Sequence, residues 1–423
     1  MSGFSRTRPA ETNAEPAESA EKLRPRQHEG TKKIRYRPPL VLEAGILWFS
    51  AFDVTQELHD AFHELRMMGT TGPTELRLTL APQRRFEAID VNTRIALEAG
   101  DVLRRHQRAL YCSFHTTAGY LEQSLSARLR HNHDRLSTFF GTFRALFPEG
   151  GEYRHDRMEL RTELSDAQKE VEPHNGDSHL TYIGAGLRNC VTYQTRPDAP
   201  VYFVDLDGAN DALKRQRTTT VLAYDHERVV VRTAVSVPVS KHPIDSVNLA
   251  DPRLGLLDQV NDLLARSGLD RGRVDLVIEP SERSVGLTVN EYETLLMKHD
   301  LVDVLRDPLR FAKIKGRNML DDPLAIPGKT LSYARYDVVR VLNSLMEALR
   351  LDQSSFERLV AKVMSVPARR FVRSRRVSFL AAFDAEHAGA RLVRGTYQSP
   401  ILVQWQPAER QERHLEIVIT QLS

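Results

Sequence analysis

Three histidines and a carboxylate stand where chemistry is most readily built. His115 follows an apolar run, residues 109–114, and is itself followed by two hydroxylated residues, Thr116 and Thr117. Gly119 lies just beyond, a residue type that lets backbone approach a ligand. His155 and His179 fall in two other segments. Imidazoles on a rigid scaffold can hold a divalent metal with an open position or, when protonated, bind a phosphate. Their spacing matches no zinc signature. Asn290 and Glu291 end another strand-like run, and a carboxylate in a partly dry pocket can act as a general acid or base. Gln398 is a candidate hydrogen-bonding group, and Asp134 and Asp156 are candidates to orient an imidazole. Each has a plain alternative: a hydrogen-bonded strand-end histidine, a surface turn glutamate, a helix-surface aspartate, a solvent-facing glutamine.

The elements that must position these groups follow from periodicity. Leu76, Leu78 and Leu80 alternate, as in a half-buried strand, and residues 86–91 read as its hairpin partner. Residues 93–105 carry Ile95, Leu97 and Leu103 at helical spacing. The apolar run 109–114 reads as a buried strand, 126–147 as an amphipathic helix and 177–187 as a short helix. Residues 157–172 are charged and lack a core, so they read as an inserted excursion. Strands are expected at 189–194, 201–205 and 218–224. After a turn at 225–227 the order starts again: strands at 228–239 and 243–247, a helix at 254–265, a strand at 274–278, then a turn and the run ending at Asn290 and Glu291. A period near 165 residues is too long for a solenoid and means two tandem domains. Helices at 334–351 and 354–366 have no counterpart in the first unit, and strands close the chain.

Composition sets the frame. The 423 residues, 41% hydrophobic and 27% charged, fit a soluble globular protein of two to three domains. With 59 basic against 56 acidic residues, the net charge of +3 argues against bulk nucleic-acid binding. The arginine run Arg369, Arg370, Arg373, Arg375 and Arg376 is a possible anion patch but reads better as a solvated connection. No apolar run approaches the ~20 residues that span a bilayer. Two cysteines, Cys112 and Cys190, in apolar contexts exclude a disulfide framework and point to the cytoplasm. Residues 1–36 read as a disordered tail and 37–73 as a strand–helix appendage. The repeated units are then 74–226 and 227–423, the second with a helical insertion.

With both turns in view, the chain resembles the YjbQ family of secondary thiamine-phosphate synthase-like proteins, small single-domain α+β trimers. The family pattern runs roughly His-Thr-Ser-Ala-Ser-Leu-x-Leu-Asn-Glu, then Tyr-x-His-Asp, Ser/Ala-His-Leu and Gly-Thr-Trp-Gln. The first unit keeps His115-Thr116-Thr117-Ala118, Tyr153-Arg154-His155-Asp156 and Ser178-His179-Leu180, but has Ser124 where the pattern has Glu. The second keeps Leu287-Thr288-Val289-Asn290-Glu291 and Gly395-Thr396-Tyr397-Gln398, but has Glu282 in place of the first histidine. The resemblance implies an α+β fold of two tandem YjbQ-like mixed-sheet domains with an N-terminal extension. It implies that His115, His155 and His179 converge, with Glu291, as a catalytic group, the three histidines being the ligand set for a divalent zinc or magnesium ion. Thr116, Thr117, Asn290 and Gln398 would bind substrate. The complementary losses suggest one composite site, histidines from the first unit and Glu291 and Gln398 from the second, in a ring-like assembly such as a pseudo-hexameric trimer. The expected activity is on a phosphorylated small molecule, thiamine-phosphate synthase-like transfer included. The alternative is a non-catalytic ligand-binding or assembly protein with degenerate sites.

Overall fold

The computed structural model describes residues 72–196, 199–209, 214–312, 314 and 371–423. The expected tail, the appendage up to residue 71 and the helices at 334–366 lie outside these residues, as do Arg369 and Arg370. The described part is a mixed α+β protein with several antiparallel sheets.

Its first half runs β1 (Thr74–Leu80), β2 (Glu87–Asp90), helix Val91–Ala99, β3 (Arg108–Ser113) and β4 (Ala118–Tyr120). Helices Gln123–Arg128, His133–Leu146, Asp166–Val171 and Gly176–Ala185 follow, then β5 (Cys190–Gln194), β6 (Tyr202–Asp205) and β7 (Arg217–Tyr224). The second half runs β8 (Glu227–Pro238), β9 (Asp245–Asn248), helix Leu256–Ser267, β10 (Arg271–Ile278) and β11 (Val285–Asn290). A π-turn, Leu296–Asp300, leads into helix Leu301–Arg306, and β12 (Arg376–Asp384), β13 (Gly389–Val393), β14 (Ser399–Gln404) and β15 (Glu412–Leu422) complete it.

The halves share one topology. The first sheet is ordered β1-β7-β3-β5 and the second β8-β15-β10-β12, extended by β13. The smaller sheets, β2-β6-β4 and β9-β14-β11, correspond in the same way. Single hydrogen bonds repeat too. Ser113 N–H donates to Asn189 O at 2.7 Å, and Ile278 N–H to Arg375 O at 2.8 Å. Gly119 and Gly286 occupy equivalent places, each where an added Cβ would land on a carbonyl oxygen of the neighbouring segment, that of Arg188 or of Val372. Only a residue without Cβ permits that approach.

Two expectations are corrected. β2 is not the hairpin partner of β1: it pairs with β6, while β1 pairs with β7. All four residues of β2 are half-buried rather than alternating, so its sequence carries no sign of which neighbour it takes. The helix expected at 126–147 is broken between Arg128 and His133, where Arg130 and His131 have φ of 59° and 50°. Asn132 then restarts it by accepting the Arg135 N–H at 3.0 Å.

Each half has its own apolar core, and further layers belong to both. Phe139, Phe140, Phe147 and Ile183 of the first half pack in one cluster with Leu296, Leu301, Phe371 and Val403 of the second. Leu110, Cys112, Cys190 and Tyr224 pack in another with Leu380 and Leu422. This burial is non-directional in driving force. Where the halves meet, their orientation is fixed by buried hydrogen bonds such as Asn189 Nδ2 to Ser378 O, 2.8 Å. None of the described helices is long and apolar enough to cross a membrane.

Candidate functional site

Helix Gly176–Ala185 is buried along its whole length, a polar N-terminal turn included. Asp156 accepts its first N–H, from Gly176, at 2.9 Å, and so ties the segment carrying His155 to the helix carrying His179. Asp156 therefore orients the helix start. Asp134 lies on an exposed helix surface and orients none of the three histidines.

His179 meets the second half directly. Its Nδ1 lies 2.7 Å from Asn290 Oδ1, at the end of β11. Asn290 is held from both sides, its Oδ1 accepting the Glu291 N–H at 2.9 Å and its Nδ2 donating to Thr116 O at 3.1 Å. That orientation makes the amide oxygen face His179, so Nδ1 carries the proton and Nε2 is left with a lone pair. Nε2 is buried without a hydrogen-bond partner, and Glu291 Oε2 stands 3.8 Å away. Burial, then the neighbouring His155, push His179 well below the usual histidine range, so it is neutral. Burial lifts the Glu291 carboxyl above its ordinary value, with His155 opposing.

His155 sits beside it, ring centroids 5.1 Å apart, edge to face. Its backbone N–H donates to Asp300 Oδ2 at 2.9 Å. Glu293 Oε2 lies 3.1 Å from Nδ1 and Asn175 Oδ1 lies 3.1 Å from Nε2. Arg161 Nη1 is 3.4 Å from the same Nδ1, but two donors cannot share that contact, and the shorter Glu293 bond governs. Burial works against the charged form of His155, yet the Glu293 bond and the charges of Asp156 and Glu291 outweigh it and raise the pKa. Glu293 moves the opposite way: burial is overcome by bonds from His155 and the Leu295 and Leu296 N–H groups. The two shifts describe one ion pair. Burial raises Asp300 to about 6 against the bonds it accepts from His155 and Arg154.

His115 is set apart. Its Nε2 accepts the Thr218 N–H at 2.9 Å, and its pKa is lowered to about 4 by burial and by Arg217. In the second half Glu282 Oε1 accepts the His414 N–H at 2.9 Å, the equivalent bond, so Glu282 supplies an acceptor where His115 does in the first. Beneath His115, Arg217 clamps Asp205 through Nε at 2.6 Å and Nη2 at 3.0 Å, and also reaches Thr117 Oγ1 at 3.3 Å. Arg413 and Gln404 repeat this pair at 3.4 Å.

The structure thus brings together His155, His179, Asn290, Glu291 and the Thr116 carbonyl. Thr117 and Gln398 are framework: Gln398 donates to Ser113 O and His115 O, both 3.0 Å, and accepts the Gly395 N–H at 3.1 Å. A buried amide so occupied braces the His115 turn. The three histidines do not form a metal donor set. Both nitrogens of His155 face acceptors and His115 Nε2 is occupied. Among the described residues the one group with donor atoms close enough is the half-buried Asp384 with the exposed Glu386 and His387. Sequence reasoning missed Asn175, Glu293, Asp300, Arg161 and Arg217. Glu293, two residues beyond Glu291, was the most accessible signal. The described arginines of the run, Arg373, Arg375 and Arg376, are exposed, as a solvated connection requires, and Arg375 Nη1 donates to Glu282 O at 3.1 Å.

Fold and site together define an α+β protein with a histidine–carboxylate cluster at the junction of two topologically alike halves. No family model and no curated protein matches the sequence. Solved structures do. A YbjQ-like protein of unknown function from Sulfolobus solfataricus P2 matches over 46% of this chain and 99% of its own, with 17% identity and a TM-score of 0.25. A hypothetical protein from Aeropyrum pernix K1 matches over 45% and 97%, with 16% identity and a TM-score of 0.23. An uncharacterized conserved protein of the yjbq/upf0047 family from Clostridium acetobutylicum matches over 45% and 99%, with 12% identity and a TM-score of 0.20. These matches, over about 45% of the chain, are consistent with a YjbQ-like domain. At such TM-scores they carry no argument about activity.

Proposed function

We propose that the chain is a tandem pair of YjbQ-like domains with one acid–base site, built where the halves meet, acting on a phosphorylated small molecule. His179 Nε2 is the base, taking a proton from a hydroxyl, amine or water. Glu291 exchanges that proton, in keeping with its raised pKa. The observation that carries this reading is the buried Nε2, its lone pair oriented through Asn290 and otherwise unused. A buried acceptor without a partner costs stability, so its persistence favours a ligand. An open depression of about 610 Å³ next to the His155 segment, though not lined by His179 or Glu291, carries Arg154, Arg157 and Arg310 against Glu152 and Asp156, and is where an anionic group could approach.

The repeated topology and the repeated Arg217 and Arg413 contacts support duplication as its origin. The YjbQ resemblance makes thiamine-phosphate synthase-like transfer the first activity to assay. No step is assigned to a metal, because the histidine donors do not fit one.

The test compares His179→Ala and Glu291→Gln with the unaltered protein on thiamine-pathway precursors, following turnover and ligand binding. Loss of about 10²-fold or more in rate for both supports the reading. Turnover that survives either substitution overturns it. Tight binding without turnover in the unaltered chain favours the ligand-binding alternative.

A further inference from the structure

Of the three histidines two are held neutral, His115 and His179, and His155 is the unusual one. A neutral imidazole needs one donor and one acceptor partner around its ring. His155 has two acceptors instead, Glu293 Oε2 and Asn175 Oδ1, each at 3.1 Å. Neither can turn round. Asn175 Nδ2 donates to Asp207 Oδ2 at 2.8 Å, which leaves only its oxygen for His155. Glu293 accepts the Leu295 N–H at 2.5 Å and the Leu296 N–H at 2.7 Å, where the π-turn begins, and backbone donors of this kind keep a carboxylate ionised.

We infer that Glu293 and Asn175 are positioning residues that make His155 the ring of the pair that carries the proton, and that this charge keeps His179 unprotonated at Nε2. The meaning of this device for catalysis rests on reading His179 as the base; its existence does not.

All the charges around the pair enter the balance. His155 faces Glu293, Asp156, Glu291 and Asp300 on the acidic side and Arg161 on the basic side. His179 faces the imidazolium, with Arg215 and Arg161 adding in the same direction, while Asn290 and Glu291 favour its protonated form. A unit charge 5.1 Å from the His179 ring lowers its proton affinity by roughly a hundredfold at the effective dielectric of a protein site. Two histidines in contact would otherwise compete for one proton. Here Glu293 decides the contest, and the loser is the ring with the open nitrogen.

Nitrogen-15 and carbon-13 spectra of the full chain labelled at histidine test this, with His155→Gln and His179→Gln identifying the two signals. His155 should report an imidazolium at pH 7 and stay the more protonated ring across pH 6–8, and His179 a neutral ring protonated at Nδ1. In Glu293→Gln, His155 should lose its proton within that range and the His179 midpoint should rise by a pH unit or more. Glu293→Asp should restore most of the original behaviour, which a merely structural role would not predict. His155→Gln removes the charge while leaving the Glu293 backbone contacts intact, and keeps the test available if Glu293→Gln fails to fold. A neutral His155 at pH 7 in the unaltered chain, or a His179 midpoint unmoved in either variant, overturns the inference. If the spectra behave as expected while His179→Ala leaves turnover intact, the proposed function fails and this electrostatic arrangement stands.

Discussion

The buried Arg217–Asp205 pair offers the sharpest stability test. Asp205 is fully buried, and both its oxygens are bonded to Arg217, which also donates to Asp207 O at 2.9 Å. Arg217→Met keeps an aliphatic stem of similar length and removes the counter-charge. Asp205 is then a carboxylate in an apolar interior with its principal donors gone, and breaking a buried pair in this way costs about 3–5 kcal/mol. Set against the ~5–15 kcal/mol that stabilises typical domains, this loss is large. Equilibrium urea unfolding at pH 7.5 should show it as a midpoint lowered by roughly 1 M or more. Two further arms check the cause. Asp205→Gln on the Arg217→Met background removes the stranded charge and copies Gln404 of the second half, so at least half the loss should return. Burial already raises the Asp205 pKa against the pull of Arg217, and without Arg217 it rises further. The folded state then binds the proton before the unfolded chain does, so the deficit of Arg217→Met should shrink as pH falls from neutrality toward 5. A cost below about 1 kcal/mol, or a double variant no better than the single one, would refute the reasoning.

His115→Gln should flatten the loss of stability in acid. The folded His115 pKa of about 4 lies below its ordinary 6.5, so its contribution is complete above pH 6.5 and is lost on descent toward 4, by roughly 3 kcal/mol at most. Asp177 and Asp300, both raised to about 6, act in the opposite sense, so melting temperatures at pH 7 and 5 must fall less in the variant than in the unaltered chain; an unchanged slope counts against it. Gly119→Ala and Gly286→Ala should each lower stability by about 2 kcal/mol, since the added carbon meets a carbonyl at both positions; thermal melts that leave one of them unaffected would break the equivalence. Cys112 and Cys190 should resist a thiol reagent in the folded protein and both react after unfolding, because each is buried in the layer between the halves; fast modification without unfolding would contradict that packing.

What could be read in the sequence was local or repeated. Leu76, Leu78 and Leu80 declared β1, and the apolar stretch before His115 declared β3, because side-chain alternation and burial are written residue by residue. Repetition placed Glu282 opposite His115, and each accepts a backbone N–H at the corresponding point of the neighbouring strand, from His414 and Thr218 respectively. The unread part depends on contacts between distant residues. Glu293 is 138 positions from His155 and Asp300 is 145 away, and no periodicity links them. Gln398 was misassigned for the same reason: a strand-end amide looks available for ligand until the carbonyls of Ser113 and His115, some 280 residues earlier, occupy it. Arg161 was hidden in a stretch whose charge suggested solvent, although its side chain is buried.

The Asn290 amide, bonded to His179 of one half and to Thr116 of the same half from a strand of the other, has a further consequence. A ring of identical subunits must present the same residues at every junction, so whatever suits chemistry must also suit adhesion at all of them. Two unlike halves in one polypeptide escape that constraint. One half is free to discard a carboxylate that the other supplies, and the second to discard a histidine, without any junction losing both. For the site proposed above, such partition would work in one direction only: with each half lacking what its neighbour retains, neither could found that site with a copy of itself, and the covalent link between them would become a condition of the chemistry.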